Sequence, residues 1–251
     1  MDIRKRIRDQ LQPAARDRTV ADVRIGLGYT AVRLDDGRTG LALTVLQDKP
    51  RSCSLFNGEL PLEGRQAGEI LELIRSRDKI ETAVGLATAN ALANTHGGDM
   101  HYGDILEFIR ARPTDRVGMV GMFGPLLGPL RERAKEVIVF EKDRGKGDDL
   151  QPETEIRDQL PRCEIALITA TSIVNHSMDG FLHAAADCRE AAILGPTTPL
   201  LPDVFRDTPV TCLSGVIVSN PANALRVVSS AGGMKQLKRV VDKVNLPLRA
   251  W

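Results

Sequence analysis

The chain has 251 residues, close to the size at which one hydrophobic core gives way to two, so it suits one large or two modest domains. Hydrophobic residues at 42% and charged residues at 27% form a globular balance that excludes extensive disorder. A formal charge of +1 gives no electrostatic basis for binding nucleic acid or an anionic membrane.

In chain order, the basic start MDIRKRIRDQL carries Ile3, Ile7 and Leu11 four residues apart, which predicts an amphipathic helix with its charges in solvent. The run TVADVRIGLGYTAVRL alternates as a strand, the turn-forming DDGR follows at 35–38, and GLALTVL at 40–46 is the partner strand. A loop rich in Pro, Ser, Asn and Gly spans 47–62 and leads to the helical pattern RQAGEILELIRS. This is a small α+β unit, expected over residues 1–80. IETAVGLATANALAN at 80–94 is dense in small residues, which predicts a buried connecting helix ended by the glycines of THGGDMHYGD.

From about Asp115 strands and helices alternate, the pattern of a parallel sheet with helices on both faces, expected within residues 81–251. The strands are RVGMVGM, EVIVFEK, EIALITA, EAAILG and CLSGVIVSN, and two helices are expected after the last, carrying Leu225, Val227 and Val228, then Leu237, Val240 and Val241. No apolar stretch reaches the ~18 residues of a membrane span and no signal-peptide core follows the basic start, so a cytoplasmic location is expected.

Ligands of such sheets bind beyond the carboxyl ends of the strands. After the first stand Gly118, Gly121 and Gly124, a G-x-x-G-x-x-G spacing whose backbone amides either take an anion or simply turn the chain. The second ends in Glu141, placed as a ribose-binding acid would be. The third ends in Thr169, Thr171, Ser172, Asn175, His176 and Ser177, more polar groups than helix capping requires, with His176 the candidate acid or base. The fourth ends in GPTTPLLP, a proline-set loop presenting Thr197 and Thr198. His96, Asp99 and His101 form a second cluster with donors suited to a divalent metal. Cys53, Cys163, Cys188 and Cys212 have no C-x-x-C spacing, so neither a zinc ribbon nor a redox pair is written.

VRIGLGYTAV, GLALTV, VGLATANAL, ITATSIVNHS, GPTTPLLP and GVIVSNPANALRVVSSAGGMKQL together resemble a family of prokaryotic proteins of unknown function associated with heavy-metal chelation. The resemblance implies an enolase-N-terminal-like α+β domain, a Rossmann-like C-terminal domain and a site in the cleft between them. Carried over, it points to Asn90, Gly121, Phe123, Gly124, Thr169, Thr171, Asn175, Gly195, Pro196, Thr197 and Thr198. Glycines are usual in the family where this chain has Ala170 and His176.

Three functional expectations follow. The first is a small polar ligand, heterocyclic or phosphorylated, held in the cleft in the service of metal handling. The second is a transferase-like enzyme using an adenosine-containing cofactor, with Glu141 on the ribose. The third is direct storage of a divalent or heavy metal through His96, Asp99, His101 and the cysteines. A homodimer is compatible with each, and no G-x-S-x-G or H-E-x-x-H motif marks a conventional hydrolase.

Overall fold

Ile3, Ile7, Leu11 and Ala15 are all buried along one side of α1 (Ile3–Ala15), whose start is capped by Asp2 accepting the Lys5 N–H at 2.9 Å. The structure, a computed structural model, describes residues 1–46, 56–142 and 150–249. Part of the expected loop at 47–62, with Cys53, and most of the polar loop after the EVIVFEK strand lie outside the described residues.

The expected single strand over TVADVRIGLGYTAVRL is two, β1 (Val20–Ile25) and β2 (Tyr29–Leu34), which pair antiparallel; β2 pairs in turn with β3 (Thr39–Leu43). Gly26 makes the break: a side chain there would come within 2.2 Å of the Val228 carbonyl, so only glycine lets the turn press on the C-terminal region. The DDGR turn forms as expected, with Gly37 at φ +87°. Then come α2 (Ala67–Leu71), a 3₁₀ turn over Glu72–Arg75, and α3 (Lys79–Ala93), capped by Asp78. Burial runs from Thr82 through Leu92 of α3 without a break, because its small residues admit neighbours on every side. A Cβ on Gly40 of β3 would meet the Ala87 carbonyl at 2.1 Å.

The second sheet has eight strands in the order β4-β11-β10-β9-β8-β5-β6-β7. These are β4 (His101–Tyr102), β5 (Arg116–Val120), β6 (Glu136–Phe140), β7 (Leu150–Gln151), β8 (Ile165–Thr169), β9 (Glu190–Leu194), β10 (Cys212–Val218) and β11 (Val241–Pro247). The stretch from β7 to β10 is parallel throughout, as expected, but β11 and β4 add antiparallel at the other edge, so the sheet is mixed. The second of the two expected C-terminal helices is also shorter than read: α8 (Pro221–Ser229) is followed by a single turn, α9 (Met234–Leu237), before the chain enters β11. Val241, expected on that helix, instead begins β11 and is buried there with Val244 and Leu246, between β10 and β4.

Period-two alternation sorts the sheet into two faces. Val117, Met119, Val139, Ile165 and Leu167 pack with Leu126 and Leu130 of α4 (Gly124–Arg133). Ile138, Phe140, Ala166, Ile168 and Ile193 share the other, larger core with α5 (Ile156–Gln159), α6 (Thr171–Val174), α7 (Met178–Ala184), and with α1 and α3. The chain leaves β5 outward to β6 and β7, then returns to the opposite side of β5 as β8. Connections therefore diverge beyond the carboxyl ends of β5 and β8, the geometry that opens a crevice in α/β sheets. No helix among the described residues is long and apolar enough to cross a membrane.

Candidate functional site

A cavity of about 450 Å³ lies at that crevice, where Tyr29 of β2 and Leu43 of β3 face the carboxyl ends of β5, β8, β9 and β10. It gathers Phe123, Gly124, Thr169, Thr171, Gly195, Pro196 and Thr197, seven of the residues the sequence singled out. Met122, Leu126, Val216 and Met234 supply apolar wall, and Ser214, Asp104 and Lys243 supply further polar groups.

Local sequence explains how these residues are held. Gly121 ends β5 at φ +87° and donates its N–H to the Phe140 carbonyl at 2.8 Å, which turns Phe123 and Gly124 toward the cavity. A Cβ on Gly121 would stand 3.1 Å from the Thr169 side chain, so β5 and β8 end in close contact. Pro125 then occupies the first turn of α4, where its missing N–H costs nothing. On β9, Gly195 turns at φ +115°, and its carbonyl accepts the Thr198 N–H at 3.0 Å. Thr197 is 2% exposed, and its hydroxyl accepts the Leu43 N–H at 2.9 Å.

Two asparagines one turn apart on and just after α3 clamp this loop. Asn90 donates to the carbonyls of Leu41 (2.7 Å) and Thr197 (3.1 Å). Asn94 donates to those of Thr198 (3.0 Å) and Val216 (3.2 Å) and accepts the Leu200 N–H at 2.9 Å. Asn90 thus stands behind the site rather than in it, and Asn94 was missed, although paired asparagines in the apolar stretch ANALAN are a legible signal. The Asn90 Oδ1 and the Thr198 hydroxyl are buried without a hydrogen-bond partner among the described residues. Thr198 itself does not line the cavity.

Glu141, Asn175 and Gly121 are brought together elsewhere, in a separate recess of about 60 Å³ on the other side of the β5 and β8 ends, shared with Ser172 and Ser177. The Glu141 carboxylate accepts the N–H groups of Met122 (3.1 Å) and Lys142 (3.0 Å), so it braces the turn after β5. His176 lines neither space. The residue is largely exposed but its ring is partly covered where Nε2 lies 3.2 Å from the Thr82 hydroxyl on α3, and its backbone adopts φ +62°. Partial burial and the nearby Arg4 and Lys79 hold its pKa below the usual histidine value. The left-handed backbone explains why glycine would suit this position; Ala170, at φ −63°, carries no such demand.

The described residues do not fit a resident metal ion. Among the described residues no three His, Cys, Asp or Glu side chains group to hold one. His96 hydrogen-bonds the Tyr102 hydroxyl at 2.8 Å and stacks on its ring, whereas the His101 ring lies against Phe108. The cluster expected in THGGDMH is therefore divided: His101 and Tyr102 point to opposite faces of β4, and His96 lies on the Tyr102 side. Cys163, Cys188 and Cys212 are buried, and burial pushes their thiols up to about 11, 12 and 12, far from the thiolate form that binds metals.

Comparison with known proteins supplies the family. Residues 104–247 match the family model DUF364, and residues 8–93 match DUF4213, both described as "Putative heavy-metal chelation". The chain belongs to this family. A protein of unknown function from Pyrococcus horikoshii, of the DUF364 family, has a crystal structure that superposes with a TM-score of 0.87 at 27% identity, covering 98% of this chain and 99% of that one. A second DUF364 structure, from Desulfitobacterium hafniense and also of unknown function, gives a TM-score of 0.79 at 23% identity, covering 97% and 98%. An uncharacterized protein of Methanocaldococcus jannaschii is 22% identical over 98% of this chain and 96% of its own length. The fold is therefore one that the family holds from end to end, with an α/β architecture and no assigned reaction.

Proposed function

We propose that the protein binds a small, partly apolar molecule with an anionic group, heterocyclic or phosphorylated, in the cavity between the three-stranded sheet and the strand ends. Chelation would then act through that organic ligand, since among the described residues the chain's own donors do not group to hold a metal. The observation that carries this is the cavity itself. Its volume of about 450 Å³ suits a small ligand, with Phe123, Met122 and Leu43 to stack or cover a ring and the hydroxyls of Thr169, Thr171 and Ser214 to orient it. The start of α4 and the Lys243 ammonium give the rim positive character, and the one carboxylate there, Asp104, is engaged in accepting the Leu106 N–H at 3.0 Å.

The adenosine-cofactor reading has less behind it, because the Glu141 carboxylate faces the smaller recess and is engaged with backbone N–H groups. The test is native mass spectrometry of gently purified protein, wild type against Thr171→Val/Ser214→Ala. An organic adduct on the wild type, lost from a variant of unchanged melting temperature, is the expected result. An adduct that survives in the variant would place the ligand elsewhere.

A further inference from the structure

From residue 208 to residue 241 the chain contains no Asp or Glu and four cations, Arg226, Lys235, Lys238 and Arg239. On a protein whose formal charge is only +1 this is a concentrated basic region. Three of the four converge. Asn223 and Arg226, three residues apart on α8, face Lys235, Gln236 and Arg239 of α9 and its end, across a groove of about 560 Å³. Elsewhere arginines pair with nearby acids, Arg65, just before α2, with Glu69, and Arg8 of α1 with Asp9 and Glu72. In the groove no carboxylate is present, and none of the three cations has an ion-pair partner among the described residues.

The amide side chains point the same way. Asn220 uses its Oδ1 to accept the Asn223 N–H at 3.2 Å, and Gln236 uses its Oε1 to accept the Gly233 N–H at 3.2 Å. Both acceptor oxygens are therefore occupied by backbone, and the –NH₂ groups remain as donors. Arg226 alone would be explained by the C-terminus of α8, but Lys235 and Arg239 would not.

We propose that the groove between α8 and α9 is a second binding site, for a polyphosphate chain, free or carried on a nucleotide. Acceptor-only phosphate oxygens match a lining of cations and amide donors, and guanidinium groups grip them bidentately. A single orthophosphate would leave most of the groove empty, whereas a chain of phosphates spreads its charge over all three cations. The site is distinct from the cavity described above: Met234 lines the cavity while Lys235 and Gln236 line the groove, so α9 is the wall between them.

The test is calorimetric titration of the full chain at low salt with pyrophosphate and with ATP. Saturable one-to-one binding is expected, weakened about tenfold or more in Arg226→Gln/Lys235→Gln/Arg239→Gln. A control lacking as many exposed charges elsewhere, Lys5→Gln/Arg16→Gln/Arg157→Gln, should bind as the wild type does. Arg239→Glu provides a second, single-site variant should the triple one melt early. Equal affinity for the two probes assigns recognition to the phosphate chain, and tighter ATP binding assigns it to a nucleotide. Absence of saturable binding at millimolar concentration, equal weakening by the control, or binding of an oligonucleotide but of neither small probe would each overturn the proposal.

Discussion

The Thr197 hydroxyl accepts the Leu43 backbone N–H at 2.9 Å, so a side chain from the loop after β9 completes the open edge of β3. Asn90 completes it one pleat away by donating to the Leu41 carbonyl, and the same amide also holds the Thr197 carbonyl. The two sheets are thus joined by side chains that substitute for a missing ladder strand, directly beside the cavity. Edge groups left unpaired in so enclosed a place would be costly.

Thr197→Val keeps the shape and removes the acceptor, and should cost about 1–3 kcal/mol, the range for orphaning a buried donor. Asn90→Ala orphans two carbonyls and should cost about 2–4 kcal/mol by the same reasoning. Because both residues hold one loop to one strand, the double variant should lose less than the sum. Urea unfolding of the four proteins gives the coupling, and strict additivity would show that the two bonds act independently.

Close backbone approach makes a second prediction. A methyl on Gly40 would lie 2.1 Å from the Ala87 carbonyl, and one on Gly85 would lie 2.1 Å from the Ile74 nitrogen. Neither neighbour is a side chain that can swing aside. Gly40→Ala and Gly85→Ala should each cost about 3 kcal/mol or more, at the upper end of overpacking. Gly180, inside α7, has nothing within 4 Å of its added methyl, so Gly180→Ala should gain up to about 1 kcal/mol. Thermal melts of the three variants make the comparison.

Much of this architecture was legible. The i, i+4 spacing of Ile3, Ile7 and Leu11 gave α1, and apolar runs such as EIALITA gave the buried parallel strands. Strand-end position brought out six of the seven cavity residues, because the carboxyl ends of a parallel sheet are fixed by its topology, and Phe123 came from the family resemblance. What the sequence hid depends on long-range contact. Gly26 breaks a strand because Val228 lies against it, and β11 is a strand because β10 and β4 flank it. His96 and His101 are close in the chain, yet they are separated by the pleat of β4 and by the rings of Tyr102 and Phe108.

The buried cysteines bear on the family's association with metals. With thiols pushed up to about 11 and 12, Cys163, Cys188 and Cys212 should resist a thiol-specific reagent at neutral pH in the folded protein and react on unfolding in denaturant. Replacing all three by Ala should leave any metal that copurifies unchanged by elemental analysis, provided the variant still folds. Loss of metal in a folded variant would return these thiols to the list of donors.

His176 joins a strained backbone to a titrating ring. At φ +62° a residue with a Cβ is disfavoured by roughly 1–2 kcal/mol, so His176→Gly should stabilise the fold by about 1 kcal/mol after loss of the Thr82 contact. The pH dependence has a definite sign. Burial, Arg4 and Lys79 lower the folded pKa, so the unfolded chain binds the proton more readily. Above the ordinary histidine value the ring is neutral in both states and has no effect. As pH falls from there through the folded pKa, the wild type should lose stability progressively, with no further loss from this group below it. His176→Gly should flatten that segment of the curve, while the acid limb set by Asp115, whose pKa the Arg189 guanidinium lowers, should persist near the carboxylate range. Denaturant melts across mildly acidic pH, with an NMR titration of the His176 ring, measure both effects. Parallel curves for the two proteins would assign the loss to other groups.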